Sequence, residues 1–216
     1  DRRFSRRISL LASYTWSKSI DDTSAFLTTK PDKNFPQDSL NFRAERAVSS
    51  FDIPHRATAA FVVSLPAKLE LRGITVAQSG QAFTPLLRFD NSNSGNTGGN
   101  FGSDRPNVVG NPRLDDRTPE RWFNTSSLVV PPRFTFGNAG RNILRGPGYV
   151  TVDASIARRF RITERLESTL ELQSFNLLNR VNYDLPERYA DEPGTFGRIF
   201  SAKAPRQLQL VFRLSF

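Results

Sequence analysis

The last ten residues, Gln207 to Phe216, alternate without a break: Leu208, Leu210, Phe212, Leu214 and Phe216 against Gln207, Gln209, Val211, Arg213 and Ser215. A period of two sends the two sets to opposite faces of a sheet. The same period returns in Ile8, Leu10, Ala12, Tyr14 and Trp16, in Ala57, Ala59, Phe61, Val63 and Leu65, and in Val150, Val152, Ala154, Ile156 and Phe160. Two further runs, Leu69 to Ser79 and Leu166 to Leu178, alternate less regularly, and Gly73 marks a place for a bulge or kink in the first of them. The pattern predicts strands at about 7–18, 55–65, 69–79, 149–161, 166–178 and 206–216.

The connections sort by length. Those near Phe4, Pro66 and Thr163 are very short, whereas those at about 19–53, 81–147 and 179–203 are long and rich in Asn, Gly, Pro and Asp. RRFSRR near the start and RRFRITER around Arg158 read as copies of one turn. Strands of 10–13 residues at about 3.3 Å each, tilted near 45°, cover a hydrocarbon layer of about 25 Å. Short turns on one side and long loops on the other characterise outer-membrane barrels, and a soluble sandwich has no reason to sort its loops. In a compact soluble domain a stretch like Phe89 to Gly148, without sustained period, would argue against the assignment.

Charge placement agrees with lipid on one face. In the apolar sets charges fall only at strand ends, at Lys18 and Arg206 beside the long loops and at Arg158 beside a turn. Arg56, Asp153 and Arg213 have the opposite parity, while the pattern leaves the faces of Arg72 and Glu171 open. The fold expected is all-β: an antiparallel up-and-down transmembrane β-barrel segment with long extracellular loops. Tyr14, Trp16 and Tyr149 near the long loops, with Phe4, Phe160 and Phe216 near the turns, suit two interfacial aromatic girdles.

Composition changes the picture little. The 216 residues include no Met and begin at Asp1, which reads as an incomplete chain. No run of about 18 apolar residues offers a transmembrane helix. A mean hydropathy of -0.44 fits a soluble protein or a barrel with one wet face equally. Without cysteine there is no disulfide, thiolate nucleophile or Cys-ligated metal, and a single histidine, His55, argues against a zinc site. The net charge of +9 comes from scattered arginines, so nucleic acid is not an expected partner.

Candidate chemistry is sparse. Ser50, Asp52 and His55 are close in sequence, but nothing supplies an oxyanion hole and His55 opens a strand. DNSNSG, Asp90 to Gly95, resembles the start of a calcium loop, yet its twelfth position is Phe101 and no helices flank it. Gly95, Gly98, Gly99 and Gly102 do not join a strand to a helix as a phosphate loop would. Asp21-Asp22 and Asp115-Asp116 read as solvated loop charges; Trp122-Phe123 either pin a long loop to the barrel, the reading preferred, or meet ligand. No catalytic, cofactor or metal residue is assigned, and an enzyme is not expected.

Five stretches, SYTWSKSIDD (Ser13 to Asp22), FDIPHR (Phe51 to Arg56), FGNAGRNILRGPG (Phe136 to Gly148), FNLLNRVNY (Phe175 to Tyr183) and RQLQLVFRLSF (Arg206 to Phe216), resemble in order the C-terminal barrel region of TonB-dependent outer-membrane receptors. The branch most similar is the Oar-like one, which carries a carboxypeptidase-regulatory-like domain at its N-terminus. The resemblance implies a location in the bacterial cell outer membrane and a barrel of about 22 strands around a plug, six of which are here. It implies import energised through TonB, which would contact a missing N-terminal part. It further implies that the barrel-assembly machinery reads Leu208, Leu210, Phe212, Leu214 and Phe216. Outer-membrane lipid would surround the wall, with Lys18 and Arg206 placed to meet lipopolysaccharide phosphates. The external ligand stays open. A structural or adhesion barrel without transport, and a soluble basic β-sandwich, are the other readings.

Overall fold

The computed structural model describes residues 2–5, 7–24, 36–95 and 104–216, with residues 2–5 described by their backbone alone. Seven strands form one antiparallel sheet in chain order: β1 (Arg2–Ser5), β2 (Ile8–Trp16), β3 (His55–Leu65), β4 (Leu69–Gln78), β5 (Tyr149–Arg161), β6 (Glu167–Phe175) and β7 (Gln207–Ser215). The sheet is an open piece of wall, since β1 and β7 each have a single partner strand in it. β1 is the strand the alternation does not predict. Its pairing Ser5↔Ile8 moves the first reversal past Phe4, and the ladder shifts register between Arg3 and Ser5.

Register makes the faces continuous. Directly paired residues share a face, so the ladder Ile8↔Val63↔Leu71↔Ile156↔Leu172↔Leu210 runs an unbroken apolar row across six strands. Leu65, Leu69, Arg158, Leu170 and Phe212 form a second row nearer the short turns. Nothing covers this face: Leu210 is 68% exposed and Phe212 62%. A second protein layer, which a soluble sandwich requires, is therefore absent among the described residues. Each such side chain gains about 1.5–3 kcal/mol on leaving water, and a bilayer is what supplies that gain to an uncovered row.

The opposite face is polar where the pattern had been ambiguous. Arg72 and Glu171 both project there and lie 4.0 Å apart, and Arg72 also pairs with Glu70. Tyr149 differs from the girdle expectation. It pairs with Gln78 beside Arg56, so it lies on this polar face, out of register with Tyr14 and Trp16 on the apolar one. Arg158 stays on the apolar face at its turn end, its guanidinium 4.9 Å from the ring of Phe160.

Gly73 makes no bulge. Its pairing with Phe61 and Ala154 runs straight through the ladder. A Cβ there would come within 2.5 Å of the Phe61 ring, so the glycine gives that ring a place to lie flat on the sheet. The tight turn between β3 and β4 sets both Ala67 and Lys68 at positive φ, 59° and 57°, which is the twist that two-residue hairpin loops favour.

The face assignment fixes the outcome of a paired substitution in full-length protein folded into liposomes. Leu210→Arg puts a cation in lipid and lowers unfolding free energy by about 2–4 kcal/mol, measured by urea titration. Gln209→Arg, on the other face, leaves it within about 0.5 kcal/mol; equal losses for both would mean the faces are misassigned.

Candidate functional site

The long connections, in their described parts 17–24, 36–54, 79–95, 104–148 and 176–206, are not independent loops. They fold onto one another into a cap with its own small core of Phe83, Phe123, Leu128, Leu144 and Phe196. Phe123 meets Phe196 edge-on with ring centres 5.0 Å apart. Trp122 packs beside them and donates from Nε1 to the Arg145 carbonyl at 2.9 Å. The pair expected to pin a loop does so, but against the other loops rather than against the wall. Two-residue ladders join Ala82–Phe83 to Leu144–Arg145, Asn107–Val108 to Leu128–Val129 and Ile20–Asp21 to Ala47–Val48.

Three acids of the first loop meet three arginines of the second. Glu45 pairs with Arg105, Asp21 with Arg141 and Asp52 with Arg145, the last at 2.6 Å. Glu45 and Arg105 are almost wholly buried, so each needs the other: a buried charge stripped of its partner costs about 3–5 kcal/mol. Gln37 completes this junction. Its backbone N–H donates to Glu45 at 3.1 Å, and its side chain accepts from the Arg105 N–H at 2.8 Å and donates to the Gly137 carbonyl at 2.9 Å. Gly137 must be glycine there, because a Cβ would sit 1.9 Å from the Arg105 carbonyl oxygen.

Arg141 is fully buried and donates to the Glu45 carbonyl, the Asp21 carbonyl and Ser24 Oγ besides the Asp21 carboxylate. Asp21 is thus a structural ion-pair partner, whereas Asp22 keeps the solvated place expected for both; Asp115 and Asp116 are exposed. The third loop is held by Arg88, which binds Glu192 at 2.7 Å and lies 4.6 Å from the Tyr189 ring. Asparagines close its start. Asn176 accepts from Arg180 N–H and donates to the Arg180 carbonyl, and the Asn182 amide pairs with both backbone groups of Val150.

The tempting triad dissolves. Asp52 is committed to Arg145 and to the Ser19 N–H at 2.7 Å, while His55 Nδ1 bonds the Tyr14 hydroxyl at 2.8 Å. In DNSNSG the Asp90 carboxylate accepts the Ser94 and Gly95 N–H groups, folding the loop on itself. Phe101, Gly98, Gly99 and Gly102 lie outside the described residues. No group of three or more potential metal ligands occurs among the described residues. Lys18 and Arg206 are both exposed at the cap's edge of the wall. The sequence pattern gave no sign of Gln37, Glu45 and Arg105, since isolated polar residues in a polar loop carry no period.

Beneath the cap, where β4 and β5 end, a cavity of about 610 Å³ opens. Gln78 and Tyr149 of the polar wall face meet Gln81 and Phe83 of the second loop and Tyr183 and Glu187 of the third around it. Asp184, on the same rim, binds Lys203 at 2.5 Å and Ser201 Oγ at 2.8 Å.

The cap's charges give it a pH dependence. Burial pushes the Asp21 carboxyl up, but hydrogen bonds from Arg141, Ser49 and Ser24 together outweigh it and hold it below its ordinary value. Hydrogen bonds from Lys203 and Ser201 hold Asp184 down likewise. A depressed carboxyl stabilises the fold above its unfolded value, about 3.9, and that stability is lost as pH falls through the folded-state value. Burial raises Asp104, which has the opposite sign. Hydrogen exchange on the full-length protein is therefore expected to quicken in 17–24 and 138–145 as pH is lowered below about 4, after correction for the intrinsic rate. In Asp21→Asn these segments exchange faster at neutral pH and show less of the acid effect.

Comparison with family models finds the outer membrane beta barrel domain matching residues 1–209. Comparisons with curated proteins and with solved structures return no match. The match covers six strands and the first residues of β7, and the uncovered apolar face, polar reverse and one-sided loops are what such a barrel requires. The chain belongs to the outer membrane beta barrel domain family, and its strands are wall strands of a β-barrel in the bacterial outer membrane.

Proposed function

We propose that this chain supplies C-terminal wall strands and outer loops to a TonB-dependent receptor that takes up an external ligand. The observation that carries the reading is the cap: the second and third long loops share one core, and three buried or half-buried Arg–carboxylate pairs tie the first loop to the second, so together they present a fixed surface above a polar wall face. A fixed surface lowers the ordering cost of binding. The motif order from Ser13 to Phe216 supports the Oar-like branch. A structural or adhesion barrel is the alternative; it does not need a cavity behind its loops.

Partners follow from the same reading. Leu208, Leu210, Phe212, Leu214 and Phe216 form the signal for the barrel-assembly machinery, and TonB engages a segment of the longer protein upstream of Asp1. Tyr14, Trp16 and Phe160 anchor the apolar face at the two interfaces. Lys18 and Arg206 contact lipopolysaccharide phosphates at the outer rim, where a phosphate pairs readily with an exposed cation. Catalysis has no part in this function.

Full-length protein in detergent is expected to bind the purified periplasmic domain of TonB, and to lose that binding when the upstream TonB-contacting segment is deleted. Titration calorimetry reads both. A full-length protein with no TonB binding, or with binding indifferent to that deletion, would leave the structural barrel as the function.

A further inference from the structure

The cavity under the cap has a chemistry of its own. Gln78, Gln81, Tyr149 and Tyr183 all line it, and none of their side chains has a hydrogen-bond partner among the described residues. These amides and hydroxyls offer donors and acceptors side by side. The Glu187 carboxylate adds acceptors without an ion-pair partner of its own among the described residues. The lining carries two cations, Arg188 and Lys203, and two carboxylates, Asp184 and Glu187, and Lys203 is bound to Asp184. The two signs balance, so the lining favours neither an anionic nor a cationic ligand.

A ligand that fits must donate and accept hydrogen bonds at several neighbouring points, carry no net charge and present apolar C–H faces to rings. Tyr183 stands 37% exposed and Tyr149 half-buried, with Phe83 closing the inner side. Tyrosine joins a broad apolar ring to a polar tip, so one side chain serves both needs. A sugar ring has this composition: vicinal hydroxyls for carboxylate and amide groups, and C–H faces for the tyrosines. The volume falls within the range of small-molecule sites, about 300–1,000 Å³.

We propose that this cavity binds a neutral oligosaccharide, its hydroxyls held by Gln78, Gln81 and Glu187 and its ring faces by Tyr149 and Tyr183. That the sugar is cargo rests on the receptor reading; that it binds does not. The site is built by all three levels of the structure. β4 and β5 bring Gln78 and Tyr149 into register, the second loop brings Gln81, and the third loop brings Tyr183 and Glu187. Loosening of the cap removes the last two from the first two, so ligand binding and cap order are coupled.

The test uses the full-length protein in detergent and titration calorimetry with maltotriose, cellotriose, xylotriose and chitotriose, alongside triproline and a ferric hydroxamate chelate. At least one trisaccharide is expected to bind, and both Tyr183→Ala and Gln81→Ala weaken it by about tenfold or more. Heat-modifiable gel mobility shows that each variant keeps its barrel, and the two variants guard against one failing to fold. Binding by none of the four sugars overturns the proposal. So does binding that both variants leave unchanged, or Tyr183-dependent binding of the peptide or the iron chelate in place of a sugar. Sugar binding in a protein that ignores TonB would remove the receptor reading and leave this site standing; TonB binding without sugar binding would do the reverse.

Discussion

One constraint governs the molecule: every second side chain of the sheet must have somewhere apolar to go, and none of the described residues lies over that face. The register that carries Ile8 through Val63, Leu71, Ile156 and Leu172 to Leu210 leaves no strand free to slip. A slip of one residue would send the whole row to the wet side and Arg72, Glu171 and their neighbours into lipid. Because neighbouring strands pair antiparallel along their lengths, their ends line up. Turns collect at one rim and long loops at the other. The cap is a consequence, since three long segments emerging from adjacent strands at one rim must pack against each other.

Charge organises that packing. Loop 17–54 brings carboxylates and loop 79–148 brings arginines, and the pairs Glu45–Arg105, Asp21–Arg141 and Asp52–Arg145 set their alignment. Apolar contacts alone would tolerate many alignments; a buried charge tolerates one, because any other strands it without a partner. The small aromatic core around Phe123 then has a fixed frame to fill. Gly137 lets its backbone lie against Arg105 at a distance no side chain allows.

The wall was legible from the sequence because period two is a local signal that each strand carries by itself. Six strands and the polar parity of Arg56, Asp153 and Arg213 follow from it. What it missed needed neighbours. Arg2–Ser5 is too short to show a period, and Tyr149 sits at a strand end where an aromatic suits either face until its pairing with Gln78 is known. Gly73 reads as a kink only while Phe61, twelve places away in sequence, is out of sight. The cap was illegible for a deeper reason. Glu45 and Arg105 are joined by tertiary packing alone, and Asp21 looks identical to the solvated Asp22 beside it. Yet the stretches that stood out as motifs, Ser13 to Asp22, Phe51 to Arg56 and Phe136 to Gly148, meet in two of the three ion pairs, so those segments were visible even where their partners were not.

The most direct measurement of lipid contact is a nitroxide scan of β7 in the full-length protein folded into liposomes. One label at a time is placed from Gln207 to Ser215, and collision rates with oxygen and with a water-soluble nickel chelate are compared. The account predicts a two-residue alternation, with oxygen favoured at 208, 210, 212 and 214 and the nickel chelate favoured, or neither reagent admitted, at the positions between. Oxygen accessibility that is flat along the strand, or lowest at 210 and 212, would mean that protein rather than lipid covers the apolar face.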